Sequence, residues 1–148
     1  MNSYEGPVWA SHHNCRSLVD DPRQLSDEQI KALIDRGSVI GCAFDAWMLS
    51  PNWIRGKSTP LGHEVYIKNV VDHIDHICQI AGNSNHCGIG SDLDGGFGTE
   101  QSPCDLDTIA DIQSLNEILG NRGYSNNDVD AIMNGNFISF CAKYLPAG

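Results

Sequence analysis

The sequence predicts an α/β chain built on a parallel sheet, and three observations carry that prediction. Short apolar runs alternate with longer amphipathic ones. The short runs are continuous, as strands buried on both faces require. The long ones repeat their apolar residues at about 3.6 positions, the period of a helix with one face on a core. Such alternation means βαβ units.

The elements follow in order. Pro7-Val8-Trp9-Ala10-Ser11 is a short strand. Ser26 as N-cap and Gln29 three residues on make a capping box, with Asp27 and Glu28 in the first turn. Ile30, Leu33 and Ile34 form the buried stripe of that helix, and Gly37 ends it. Residues 38–44 are the second strand. The connection 45–60 holds Trp47, Trp53, two prolines and most of the local positive charge, and its length marks a functional loop. A helix over 62–81 buries Ile67, Val70, Val71, Ile74, Ile77, Cys78 and Ala81. Residues 86–91 are the third strand and run into the glycine-rich loop 92–98. Two helices close the chain, striped by Leu106, Ile109, Ile112, Leu115 and Leu119, then from Ser125 by Val129, Ile132, Met133, Phe137 and Phe140. Neither a repeat nor a domain boundary interrupts residues 1–148, a length that suits one domain with a sizeable core.

Composition excludes several classes. With 9 Lys+Arg against 19 Asp+Glu, no basic patch can neutralise nucleic-acid phosphates or an anionic membrane. Residues 69–148 carry most of the deficit, 2 basic against 11 acidic side chains. The six cysteines form no C-x-x-C pair, and Cys42, Cys78, Cys87 and Cys141 fall in apolar surroundings, which reads as free thiols in a reducing compartment. There is no basic-then-apolar signal segment and no run of 18 apolar residues, so a soluble, cytoplasmic chain is expected.

Chemistry in parallel α/β folds collects at the carboxyl ends of strands. His12 directly follows the first strand, Asp92 directly follows the third, and Arg23 lies on the loop between the first strand and its helix. Together they suggest a metal-assisted hydrolase gripping an anionic substrate. Singly, a strand-end histidine more often caps backbone, Asp92 suits a turn, and Arg23 can pair with Asp20, Asp21 or Asp27. Asp92-x-Asp94 is no EF-hand, since Phe97 and Pro103 stand where Gly and Glu are needed. Gly95-Gly96-Phe97-Gly98 lacks the Lys-Ser/Thr of a phosphate loop. His73-Ile74-Asp75, with His76, reads as a solvated or interhelical edge of its helix rather than a metal pair, and Asn136 as a bond to a neighbouring loop's backbone.

Taken as an ordered set, Pro7-Val8-Trp9-Ala10-Ser11-His12-x-Asn14-Cys15-Arg16, Pro22-Arg23-Gln24-Leu25-Ser26-Asp27-Glu28-Gln29-Ile30, Val39-Ile40-Gly41, Asp72-His73-Ile74-Asp75-His76-Ile77, Gly88-Ile89-Gly90-Ser91-Asp92-Leu93-Asp94-Gly95 and Gly135-Asn136-Phe137 closely resemble the membrane (renal) dipeptidase family, in its soluble bacterial branch. The resemblance implies the C-terminal portion of an amidohydrolase-type (β/α)8 TIM barrel, about three βα units plus a final helix. It implies a zinc-dependent dipeptidase in which His12 is a metal ligand, Arg23 holds the substrate carboxylate, and Asp92 contacts substrate and shuttles the proton. His13 stands where the family usually has Ser, a departure bearing on substrate preference. A full barrel needs about 200 residues or more, so the family's other zinc ligands are expected upstream of His12. One His and one Asp are too few for two zinc ions, and the chain alone is expected to be inactive. The expected partner is a dipeptide, with self-association or complementation by the missing N-terminal part. Two alternatives stand beside this reading: a non-catalytic barrel remnant acting as an interaction module, and an amidohydrolase acting on another amide or a lactone.

Overall fold

The strands β1 (Ile40–Cys42) and β2 (Cys87–Ile89) pair in parallel, with Ile40 opposite Cys87 and Gly41 opposite Gly88. On the other edge of β1 the leading segment forms a parallel bridge, Ala10 to Ile40. Three backbone bonds fasten it: Ala10 N–H donates to Val39 O at 3.0 Å, Gly41 N–H to Ala10 O at 2.8 Å, and His13 N–H to Gly41 O at 2.8 Å. This is a computed structural model describing residues 4–145. Two of the three expected strands are in place and parallel, each shorter than its apolar run. The segment 7–11 keeps a single bridge, because ladder bonds persist only where a partner runs alongside. The two strands and the bridged leading segment make a small open parallel sheet among the described residues.

Helix α1 (Asp27–Asp35) starts as its capping box dictates, Gln29 N–H donating to Ser26 Oγ and Ser26 N–H to Gln29 Oε1. It ends before Gly37, whose φ of +67° favours glycine. Its buried Ile30 and Leu33 share the core with α3 (Ile67–Ala81), which buries Ile67, Val70, Val71, Ile74, Ile77 and Cys78. The N-terminus of α3 is a correction: the helix was expected from 62, but a 3-10 turn (Leu61–His63) and Glu64 at φ +52° come first. The loop 45–60 likewise holds a short helix, α2 (Ala46–Leu49), wholly buried. The next expected helix is a 3-10 turn (Ile109–Gln113) leading into α4 (Ser114–Asn121). The last is α5 (Asn126–Asp130), a π turn (Ala131–Gly135) and α6 (Asn136–Tyr144). No helix among the described residues is long and apolar enough to cross a membrane.

The π turn explains Asn136. An extra residue in the turn rotates the register, and Asn136 Nδ2 then donates to Ser84 O and Cys87 O, both at 2.7 Å. This is the backbone bond expected of it. Across the sheet, Trp9 packs edge-on against Phe137 and tilted against Phe140 of α6. All six cysteines are free thiols, four of them buried, with the sulfurs of Cys78 and Cys87 3.6 Å apart. Burial pushes the Cys15 thiol up to about 12, which keeps it unreactive.

Of the two edges expected for His73, solvated or interhelical, the solvated one is ruled out. His73 is 1% exposed, and its Nδ1 accepts the N–H of Cys15 at 3.1 Å. His76 and Asp75 do lie at the flank, paired to Asp27 and Arg122. Burial lowers the His73 pKa to about 4, so the native ring stays neutral where an unfolded one takes a proton. Stability is therefore full above pH 6.5 and falls as the pH drops toward about 4, by about 3 kcal/mol from this group. In His73→Asn, Oδ1 replaces the Nδ1 acceptor without titrating. Urea unfolding at pH 7 and pH 4.5 should show a smaller loss for that variant than for the wild type, and equal losses would refute the assignment.

Candidate functional site

Three chain segments end on the same side of the sheet, and each delivers a polar side chain. The leading segment delivers His12 and His13, whose rings stack with centroids 5.5 Å apart. After β2 the chain delivers Asp92, a non-glycine residue at φ +62°. Backbone in this region is strained for a side chain, and such residues gather at functional sites. Gly95 N–H closes the turn on Asp92 O at 2.9 Å. An open concavity of about 450 Å³ is lined by Ser11, His12, Ser91, Asp92 and Asp94 among others, so it brings His12 and Asp92 to one wall.

Arg23 reaches the same place from its loop, its Nη2 3.4 Å from His12 Nε2. It does not pair with Asp20 or Asp27; its backbone N–H donates to Asp21 Oδ1 at 2.8 Å. The loop is held by Arg16, which donates to the carbonyls of Asp21, Pro22 and Gln24 at 3.2, 2.9 and 2.7 Å. One guanidinium thus satisfies three loop carbonyls and fixes where another guanidinium points. Burial lowers the His13 pKa, the charges of His12 and Arg23 lower it further, and Asp92 opposes them. His13 therefore stands among the three expected site residues as a neutral ring.

The strand-end rule that selects His12 and Asp92 also selects Asp45, a further polar side chain at the end of β1. Asp45 lies just beyond β1 and is 5% exposed. Its Oδ2 accepts from Trp47 Nε1 at 2.7 Å and from Gln101 Nε2 at 3.1 Å. Burial raises its pKa, partly offset by these bonds and reinforced by the charge of Asp92. Trp47 in turn lies against Arg23, 5.8 Å from ring centroid to guanidinium carbon. Asn14, two residues past His12, is fully buried and ties the leading segment to the far end of β1. A polar residue inside Ser11-His12-His13-Asn14-Cys15 was the available signal for it.

The sequence model of the family described as membrane dipeptidase (peptidase family M19) matches residues 2–143. The chain belongs to this family. It is 32% identical over 132 residues to an uncharacterised protein of the pqqA 5′ region of Klebsiella pneumoniae, covering 89% of this chain and 45% of that protein. It is 27% identical to human dipeptidase 3 over 134 residues, 90% of this chain and 25% of that enzyme. Among solved structures, a dipeptidase described as a metallo peptidase of the same family superposes with a TM-score of 0.79 at 20% identity, over 97% of this chain and 39% of that one. That likeness is one of fold. The chain spans less than half the length of these relatives.

A metallopeptidase family implies a metal, generally zinc, and the side chains present can be tested for it. Among the described residues no group of three or more His, Cys, Asp or Glu could hold a metal ion. Ser11 Oγ lies 2.8 Å from His12 Nδ1, and the Arg23 guanidinium stands beside its Nε2. A fixed cation next to a ligand nitrogen disfavours a second cation there. His12 and Asp92 do not by themselves fit a two-zinc centre.

Proposed function

We propose that this chain is the substrate-gripping portion of a metal-dependent dipeptidase that hydrolyses the peptide bond of free dipeptides. In this reading the open sheet is one wall of an amidohydrolase-type barrel. Arg23 binds the α-carboxylate of the dipeptide through its planar fork, which confines substrates to those with a free carboxyl end. Asp92 contacts the substrate, takes the proton of the attacking water and passes it to the leaving amine. With the family's other ligands supplied, His12 would be the metal ligand from this chain once the Arg23 guanidinium turns to the substrate, and the chain alone does not turn over. The observation that carries the reading is the convergence of His12, Arg23 and Asp92 at the carboxyl end of a parallel sheet.

Calorimetry on the purified chain tests it. The wild type is expected to bind a simple dipeptide such as Ala-Gln without hydrolysing it and with fewer than two zinc ions per chain. Arg23→Ala should weaken binding about tenfold or more, the worth of a charge-assisted hydrogen bond. Amidating the peptide's C-terminus should weaken it to the same extent, and the two changes together should cost no more than either alone. Additive losses would place the carboxylate elsewhere. Hydrolysis at enzymatic rates with two zinc ions bound would overturn the inactivity of the isolated chain. Pairing of the open sheet edges with a second copy, or with the N-terminal part of the family barrel, follows from the same reading. Sedimentation reads it directly.

A further inference from the structure

Trp47 carries two guanidinium groups. The guanidinium carbon of Arg23 lies 5.8 Å from the indole centroid and that of Arg55 lies 4.8 Å from it. Neither arginine makes an ion pair among the described residues, although acidic side chains outnumber basic ones by 19 to 9. The contrast is Arg122, which takes both Asp72 and Asp75. The indole face holds both guanidiniums. A carboxylate accepts from such a planar fork by charge-assisted hydrogen bonds.

The ring beneath them is fixed. Its Nε1–H is held by Asp45, which also takes the amide of Gln101, so the indole cannot turn. Trp47 and Arg55 line a cavity of about 550 Å³ together with Ser50, Asn52, Asp20 and Asp21. Of the two carboxylates, Asp21 already accepts the backbone N–H of Arg23 at 2.8 Å, and neither comes within ion-pair distance of Arg55. The cavity thus adjoins the loop that presents Arg23 and has a guanidinium on one side.

We propose that Arg55 is a specificity-determining residue, which together with Arg23 selects dipeptides whose C-terminal residue carries a second carboxylate, aspartate or glutamate. The α-carboxylate sits on Arg23 and the side-chain carboxylate on Arg55. The two guanidiniums share one ring. The proposal rests on the dipeptidase reading above for the role of Arg23. Asp20 and Asp21 face the same cavity and favour a cationic side chain, so lysine is the competing occupant.

Titration calorimetry of the wild-type chain with Ala-Glu, Ala-Gln and Ala-Lys decides it. Ala-Glu is expected to bind about tenfold tighter than Ala-Gln, and Ala-Lys no tighter than Ala-Gln. Arg55→Gln, at an exposed position, should abolish the preference for glutamate and leave Ala-Gln binding unchanged. Its melting curve should match the wild type's. Equal affinity for Ala-Glu and Ala-Gln, or a preference for Ala-Lys, overturns the role of Arg55 and leaves that of Arg23 standing. Failure to bind any of the three overturns both, and a glutamate preference that survives Arg55→Gln assigns the second carboxylate to another residue.

Discussion

Gly90→Ala is expected to destabilise the chain by about 3 kcal/mol or more and to abolish dipeptide binding with it. A Cβ on Gly90 would overlap the carbonyl oxygen of Ser11 and stand 2.7 Å from the carbonyl carbon and oxygen of Gly41. Every one of these atoms is backbone, so no side chain can swing aside. The leading segment would have to lift off the sheet, breaking the bond from His13 N–H to Gly41 O. His12 sits one residue from Ser11 and Asp92 two residues from Gly90, so the same displacement pulls the site apart. Gly120→Ala is the control. A Cβ there meets nothing within 4 Å, and the position is inside α4, so the change should stabilise by up to about 1 kcal/mol. Urea unfolding of both variants reads the contrast, and a Gly90→Ala protein as stable as the wild type would refute the close approach.

Asn14→Ala should cost about 4 kcal/mol. The side chain is fully buried and donates to Ala43 O at 3.1 Å and Met48 O at 3.3 Å while accepting Ala43 N–H at 2.9 Å. Truncation leaves the N–H and carbonyl of Ala43 buried without partners, at about 1–3 kcal/mol each before water or relaxation compensates, and strips Met48 O of one of its two donors. Gln24 partly shares the role, donating to Met48 O at 3.1 Å and accepting Asn14 N–H at 3.1 Å. Asn14→Asp is the sharper variant. It keeps the acceptor and the shape but replaces the donating amide with a buried charge facing two carbonyls, and it should unfold the protein more than alanine does. A loss under about 1 kcal/mol for alanine would mean that water replaces the amide.

Much of the fold was legible because its cause is local. The capping box of Ser26 and Gln29 sets the start of α1, and the apolar stripe from Ile67 to Cys78 sets the buried face of α3. Strand lengths were not legible, since the run 38–44 cannot show where its neighbours stop running alongside. Nor was the burial of His73, whose ring accepts an N–H fifty-eight positions earlier in the chain. At the site, adjacency to a strand end found His12 and Asp92 and would have found Asp45. The stacking of Arg23 on Trp47, and the service of Arg16 to the Arg23 loop, depend on how loops fold back. Periodicity carries no trace of that.

The parallel pairing has a consequence for the order of folding. Roughly a third of the chain lies between Ile40 and its partner Cys87. Helices α1 and α3 can form from neighbouring residues, but the ladder cannot zip until both crossovers have closed their loops, and long closures are the slow ones. The side chains at the ends of that ladder are assembled last. A refolding chain should regain helical signal well before it regains ligand binding, and mutations that slow the final closure should delay function more than structure.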